Sequence, residues 1–190
     1  ETKNHIKFNT EFQYSTLTSP SGFFHLATIP QGTGAHQRIG DGISPTYLDV
    51  RGQVQATNQE AVWYRIYVLE KNVAADPTQD LLETNNGNFA PATSDLAAIY
   101  ARVNHQKYKV LATRLLKTGT MSNTANDANA AQLFHMKIPM KGKLIYDDNA
   151  TDPQKRDLVL LVMGRRANND DTLGLNFEFS FNSKLYFKDN

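Results

Sequence analysis

Along most of this chain apolar and polar residues alternate with a period of two, as strands with one buried and one wet face require. Ile6, Phe8, Phe12 and Tyr14 share one parity, with Lys7, Glu11 and Gln13 on the other. Leu48, Val50, Val54 and Ala56 alternate with Asp49, Arg51, Gln53 and Gln55. Val62, Tyr64, Ile66 and Val68 alternate with Trp63, Arg65 and Tyr67. Phe134, Met136, Ile138 and Met140 take one face against His135, Lys137 and Lys141. Near the end, Leu175, Phe177, Phe179, Phe181, Leu185 and Phe187 are all odd-numbered, separated by Asn176, Glu178, Ser180 and Asn182. Three more segments read as strands without clean alternation. Phe23 to Ile29 is apolar and ends at Pro30, Tyr108 to Leu116 is β-prone, and Leu158 to Met163 is continuously apolar, as expected of a strand covered on both faces.

Two short helices are predicted between strands. Asp76-Pro77 supplies an N-cap followed by proline at the first helical position, leading into Leu81 and Leu82. Ser94 caps a second, in which Leu96, Ile99, Tyr100 and Val103 recur at helical spacing. Residues 84–93 and 119–131 are polar loops rich in Asn and small residues. Roughly eight strands with two minor helices describe an all-β, antiparallel sandwich, either a jelly roll or another Greek-key arrangement, over one domain at 1–190. A doubly wound α/β fold is disfavoured, because its parallel strands read as continuous apolar runs, each followed by a helix.

Composition narrows the function. With 40% hydrophobic and 21% charged residues over 190 positions, the chain has the make-up of a globular domain. No run approaches the roughly 18 apolar residues of a membrane-spanning helix. The absence of cysteine excludes disulfides, a thiol nucleophile and thiolate metal sites. The chain begins at Glu1 without methionine, so a further segment is expected upstream. The formal charge of +1 conceals an uneven distribution. Residues 1–100 hold six Lys/Arg against ten Asp/Glu; residues 101–146 hold eight against Asp127 alone; residues 147–190 hold six against eight. A basic middle of Arg102, Lys107, Lys109, Arg114, Lys117, Lys137, Lys141 and Lys143 suits a surface that meets a polyanion, or a solvated face neutralised by the flanking segments. On the strand near 132–143, Lys137, Lys141 and Lys143 share a parity with His135, and Lys107 and Lys109 share one as well. Lysines without interleaved exposed aromatics suit phosphate neutralisation better than base stacking.

Catalytic signatures are missing. The glycine segment at 32–40 fits neither dinucleotide nor P-loop spacing and is followed by no helix, so it reads as a long turn. His5, His25, His36, His105 and His135 show no paired ligand spacing, and no serine-centred elbow occurs. Asp147, Asp148, Asp170 and Asp171 bunch hard oxygen ligands in loops and are candidates for a structural calcium, although the first cluster fails the EF-hand template. The reading is of a non-enzyme with no other cofactor.

The stretch 26–54, LATIPQGTGAHQRIGDGISPTYLDVRGQV, carries a resemblance. Gln31-Gly32-Thr33-Gly34, Gln37-Arg38-Ile39-Gly40, Ile43 and Leu48-Asp49-Val50-Arg51-Gly52 resemble the pattern found in capsid proteins of small circular single-stranded DNA viruses, the CRESS-DNA group. The strand Val62-Trp63-Tyr64-Arg65-Ile66-Tyr67-Val68 looks like the one that follows this motif in the family. A similar layout occurs in the satellite tobacco necrosis virus coat protein, so the motif alone does not separate a DNA from an RNA genome. Two departures stand out. Asp41 replaces the usual basic residue after Arg-Ile-Gly, and only Lys3 and Lys7 lie where the family carries a basic N-terminal arm, so the expectation is either an arm upstream of residue 1 or a coat that binds nucleic acid weakly.

The resemblance implies a single jelly roll of two facing four-stranded sheets, self-assembling in roughly sixty copies into an icosahedral shell around single-stranded nucleic acid. It implies a virion protein, assembled inside the host cell with the nucleus as the site for a DNA genome, meeting a receptor the sequence does not identify. Lys107, Lys109, Lys137, Lys141 and Lys143 are then the candidates for nucleic-acid contact, and Arg38 and Arg51 for subunit-interface or loop-ordering contacts. The rival reading is a calcium-assisted carbohydrate-binding jelly roll, with Trp63, Tyr64 or Tyr67 stacking on sugar rings.

Overall fold

The computed structural model describes residues 2–15, 22–56, 61–72, 75, 77–83, 88–90, 100–119, 131–166 and 176–189. Eight principal strands run β1 Thr2–Ser15, β2 Gly22–His25, β3 Gly42–Ala56, β4 Val62–Asn72, β7 Tyr108–Lys117, β8 Ala131–Pro139, β10 Arg156–Arg166 and β11 Asn176–Asp189. Three two-residue strands, β5 Leu82–Glu83, β6 Phe89–Ala90 and β9 Leu144–Ile145, sit in the connections. Every pairing between named strands is antiparallel. One sheet has the order β1-β11-β3-β8, with β9 added to β3, and the other the order β2-β10-β4-β7. The first principal strand pairs the last, the second the seventh, the third the sixth and the fourth the fifth. This nesting is that of a long hairpin wrapped into a sandwich, the jelly roll.

Period-two patterning decides what lies inside. On β3, Leu48, Val50 and Val54 are fully buried, and on β8 Phe134, Met136 and Ile138 are buried while Leu133, His135 and Lys137 stand outside. Phe179, Phe181, Leu185 and Phe187 of β11 join them from one sheet; Tyr64, Ile66, Val68, Leu158, Leu160 and Val162 face them from the other. Gly52 also points inward, and the space is needed. A Cβ there would fall 2.4 Å from the Ser180 carbonyl oxygen and 2.6 Å from the Phe134 ring.

β10 is buried on both sides. Its odd-numbered residues Val159, Leu161 and Met163 form a second cluster with Tyr67, Leu69 and Tyr108 of neighbouring strands and with Ala75, Leu81, Leu82 and Val103 from the β4–β7 connection. That connection lies across the outer face of the second sheet and accounts for the unbroken apolar run at 158–163. Its first predicted helix is confined to one turn, α1 Pro77–Asp80. Leu82 pairs instead with Ala90 and Val103, because β bridging buries the apolar side chains that a longer helix would have had to share with solvent. The second predicted helix falls mostly on residues 91–99, outside the described residues, and Val103 at its end forms a β bridge. β2 is shorter than the apolar run from Phe23 to Ile29. Leu26, Ala27 and Ile29 remain buried but leave the ladder as the chain turns into the 30–41 loop.

Candidate nucleic-acid interface

The outer face of the β1-β11-β3-β8 sheet carries outward side chains of β3, β8 and β11. The β3–β8 register sets Asp49 opposite Lys137 and Arg51 opposite His135; the β3–β11 register sets Tyr47 opposite Tyr186 and Asp49 opposite Lys184. Tyr47 and Tyr186 stack with ring centroids 4.0 Å apart and planes inclined by 20°. The Lys137 ammonium sits 4.9 Å from the Tyr47 centroid and the Lys184 ammonium 4.8 Å from that of Tyr186. Two aromatic rings and two cations thus form one cluster across three strands, held by cross-strand stacking and cation–π attraction.

Hydrogen bonding polarises the ring pair. The Tyr47 hydroxyl donates to the Tyr186 oxygen, and this bond, with partial loss of water and the nearby Asp49 charge, pushes the Tyr47 pKa up to about 12. Tyr186, accepting from Tyr47 and from Lys184, is shifted down. Next along the face, Arg51 grips Asp49 with two bonds, Nε to Oδ1 at 3.2 Å and Nη2 to Oδ2 at 2.9 Å, and His135 Nε2 lies 2.8 Å from Oδ1. Desolvation of the Asp49 carboxyl opposes its ionisation, but the Arg51 and His135 bonds outweigh it and hold its pKa below the usual carboxylate range. The surface between these groups is concave. A depression of about 740 Å³ is lined by Arg51, Gln53, Leu133, His135, Ser180 and Asn182 among others. A second, of about 280 Å³, is lined by Asp49, Arg51, Asn182, Lys184 and Tyr186. Arg51 and Asn182 border both, so the two adjoin.

The basic residues predicted from sequence do not form one surface. Lys137 belongs to the aromatic cluster just described, which the sequence reading missed because Tyr47, Tyr186 and Lys184 lie on other strands. The strand itself interleaves no exposed aromatics with its lysines; the rings beside Lys137 are half-buried and come from neighbouring strands. Lys141 and Lys143 are exposed but lie beyond Pro139, where β8 ends, so the strand parity predicted for them does not apply. The turn there needs glycine, since Gly142 has φ +79°. Lys107 and Lys109 lie at the opposite sheet, near the start of β7. Lys107 Nζ pairs with Asp80 Oδ2 at 2.5 Å, and Lys109 is cross-strand from Glu70.

The two motif arginines have different environments. Arg51 is exposed on the open face, whereas Arg38 is completely buried. Arg38 donates from Nη1 to the Gly40 carbonyl at 2.5 Å and from Nη2 to the carbonyls of Asp147 at 3.1 Å and Ala150 at 2.5 Å. Its guanidinium stacks 4.5 Å from the Tyr146 centroid. The Gln31–Arg38 bridge closes the motif loop, and Gln37 Oε1 accepts from the Gly34 amide at 2.9 Å. The Gln-Gly-Thr-Gly and Gln-Arg-Ile-Gly elements thus build one folded loop, pinned by a buried cation to the turn after β9.

Asp147 and Asp148 are exposed in that turn; Asp170 and Asp171 lie outside the described residues. Among the described residues, no group of three or more His, Asp or Glu is close enough to hold a metal ion. The sugar-stacking residues are corrected: Tyr64 is fully buried in the core and Tyr67 is 4% exposed beneath the β4–β7 connection, so neither ring is available to a sugar. Trp63 keeps partial exposure, with the Lys117 ammonium 5.1 Å from its ring centroid.

No family model matches the chain, and no curated protein does. Among solved structures, the VP2 subviral particle of infectious bursal disease virus is similar at 10% identity and a TM-score of 0.33, over 97% of this chain and 32% of that one. The D431N mutant VP2 of the same virus, in derived T=1 particles, gives 10% and 0.38, over 97% and 31%. Desmodium yellow mottle tymovirus gives 9% and 0.37, over 98% and 88%. The chain therefore spans about a third of the length of the VP2 chains it matches. The jelly-roll assignment rests on this chain's own strand order.

Proposed function

We propose that this chain is a viral capsid protein whose copies assemble into a small icosahedral shell around single-stranded nucleic acid, with DNA as the favoured genome. The observation that carries the reading is the open outer face of the β1-β11-β3-β8 sheet. There the Lys137, Tyr47, Tyr186 and Lys184 cluster lies beside two adjoining depressions. Aromatic rings next to ammonium groups are the components of sequence-tolerant binding to single strands, the rings taking bases and the cations phosphates. The resemblance of residues 26–54 to CRESS-DNA capsid proteins supports the assignment to a shell of roughly sixty copies; assembly in the host nucleus goes with a DNA genome.

The test is assembly. Purified protein is expected to form uniform shells of about 20 nm, the size of roughly sixty compact subunits of this mass, and to protect single-stranded DNA from nuclease. Strictly monomeric behaviour across salt and pH overturns the reading.

A further inference from the structure

At the end of the sandwich where β4 finishes and β7 and β10 begin, a depression of about 250 Å³ is lined by Lys71, Lys107, Lys109, Lys155 and Arg156, with Glu70 as the acid beside them. The cations come from three stretches distant in sequence. The β4–β10 register sets Asn72 against Arg156, and the β4–β7 register sets Lys71 against Tyr108. Two of the five cations are internally matched: Arg156 Nη2 meets Glu70 Oε2 at 3.0 Å, and Lys107 meets Asp80. Arg156 also donates to the Lys141 carbonyl at 2.9 Å, which fixes the β8–β9 turn to the rim, while its buried Nε finds no acceptor. Lys71, Lys109 and Lys155 have no ion-pair partner among the described residues. Three like charges around one concavity repel one another; Lys109 lies cross-strand from Glu70 and Lys71 from Asp157, but those carboxylates are engaged by Arg156 and His25 and none closes an ion pair with the three lysines.

We infer that this depression is a binding site for an oligophosphate, a ligand presenting two or more adjacent phosphoryl groups. Phosphoryl oxygens supply the missing acceptors, with Lys71, Lys109 and Lys155 as point charges and Arg156, already oriented by Glu70 and the Lys141 carbonyl, as the directional donor. The polar lining excludes an apolar ligand, and the volume accommodates more than one phosphoryl group. The phosphates can belong to a free oligophosphate, such as a nucleoside triphosphate, or to successive positions of a nucleic-acid backbone. The site lies away from the Tyr47–Tyr186 face and does not depend on the shell reading.

Titration calorimetry of the full chain with inorganic tripolyphosphate tests it. Saturable binding is expected, weakened about tenfold or more in the Lys71→Ala/Lys155→Ala double variant and unchanged in Lys188→Ala, whose side chain is exposed and away from the depression. Both double-variant positions are at the surface, and retention of the wild-type unfolding midpoint verifies that the fold is intact. Displacement of tripolyphosphate by oligothymidylate identifies a nucleic-acid backbone as the source; binding that oligothymidylate leaves intact identifies a free oligophosphate. Absence of saturable binding by the wild-type chain, or equal affinity in the double variant, overturns the inference.

Discussion

The two sheets present outer faces with opposite fates. On the β2-β10-β4-β7 sheet, Tyr67, Leu69, Val159, Leu161 and Met163 are covered by the chain's own β4–β7 connection. On the β1-β11-β3-β8 sheet, Asp49, Arg51, His135, Lys137 and Lys184 stand in the corresponding position, and none of the described residues forms a second apolar cluster across them. Full burial of one large apolar side chain contributes about 1.5–3 kcal/mol, so the covered face is committed to stability. Exposed ion pairs such as Arg51–Asp49 contribute about 0–1 kcal/mol, so the open face can vary or bind without cost to the fold. In this jelly roll, the chain's own connection buries one outer face, while the described outer face of the other sheet is polar and charged.

The largest effect that sharpens this contrast comes from matched leucines. Leu161→Ala, fully buried under the connection, is expected to lower unfolding free energy by about 2–5 kcal/mol, whereas Leu133→Ala, 77% exposed on the open side, changes it by less than about 0.5 kcal/mol. Equal losses in denaturant titrations break the comparison. The motif arginines form the next pair. Arg38→Ala removes a fully buried guanidinium and its bonds to three carbonyls and is expected to cost about 3 kcal/mol, and Arg51→Ala no more than about 1 kcal/mol in the same titration. Lysine at position 38 does not rescue, because a single ammonium cannot span three carbonyls in a planar fork.

Binding gives the third test. Tyr47→Ala and Tyr186→Ala are each expected to weaken oligothymidylate binding roughly tenfold by fluorescence anisotropy while leaving the unfolding midpoint in place. Removing Lys137 is expected to shallow the salt dependence of that binding by about 0.7 in log–log slope. The smallest effect is on pH. Asp49 has its folded pKa below the unfolded value of about 4, so its contribution is present above that value and lost as pH falls through the folded one. Asp49→Asn is expected to lower stability slightly near neutrality, a difference that shrinks as pH falls between about 5 and 2, so that the acid limb is flatter in the variant.

Much of the fold was legible because strand patterning is local. The parity of β3, β8 and β11 identified their buried faces residue by residue, and the unbroken run at 158–163 identified a strand covered twice. Errors arose where burial and strand pairing separate. Leu26 to Ile29 is apolar because it is buried, but it lies outside the ladder, and Leu81-Leu82 is buried through β bridging rather than through a helix. The candidate interface was legible only in part. Lys137 was placed on an outer face, yet Tyr47, Tyr186 and Lys184 were invisible as its neighbours, since they lie at least 47 positions away in sequence. Lys107 and Lys109 shared a parity, while their convergence with Lys71 and Lys155 required three strand ends to meet.

The sequence by itself determined which residues face the core, that the fold is an antiparallel sandwich and that no cysteine or EF-hand chemistry is available, because each follows from residue type and short-range spacing. Tertiary structure alone decided which outer face is covered, why one motif arginine is buried and the other exposed, and where the scattered lysines collect. Those outcomes depend on cross-strand register and loop docking, in which free energy is set by groups that meet only after the chain has closed long loops.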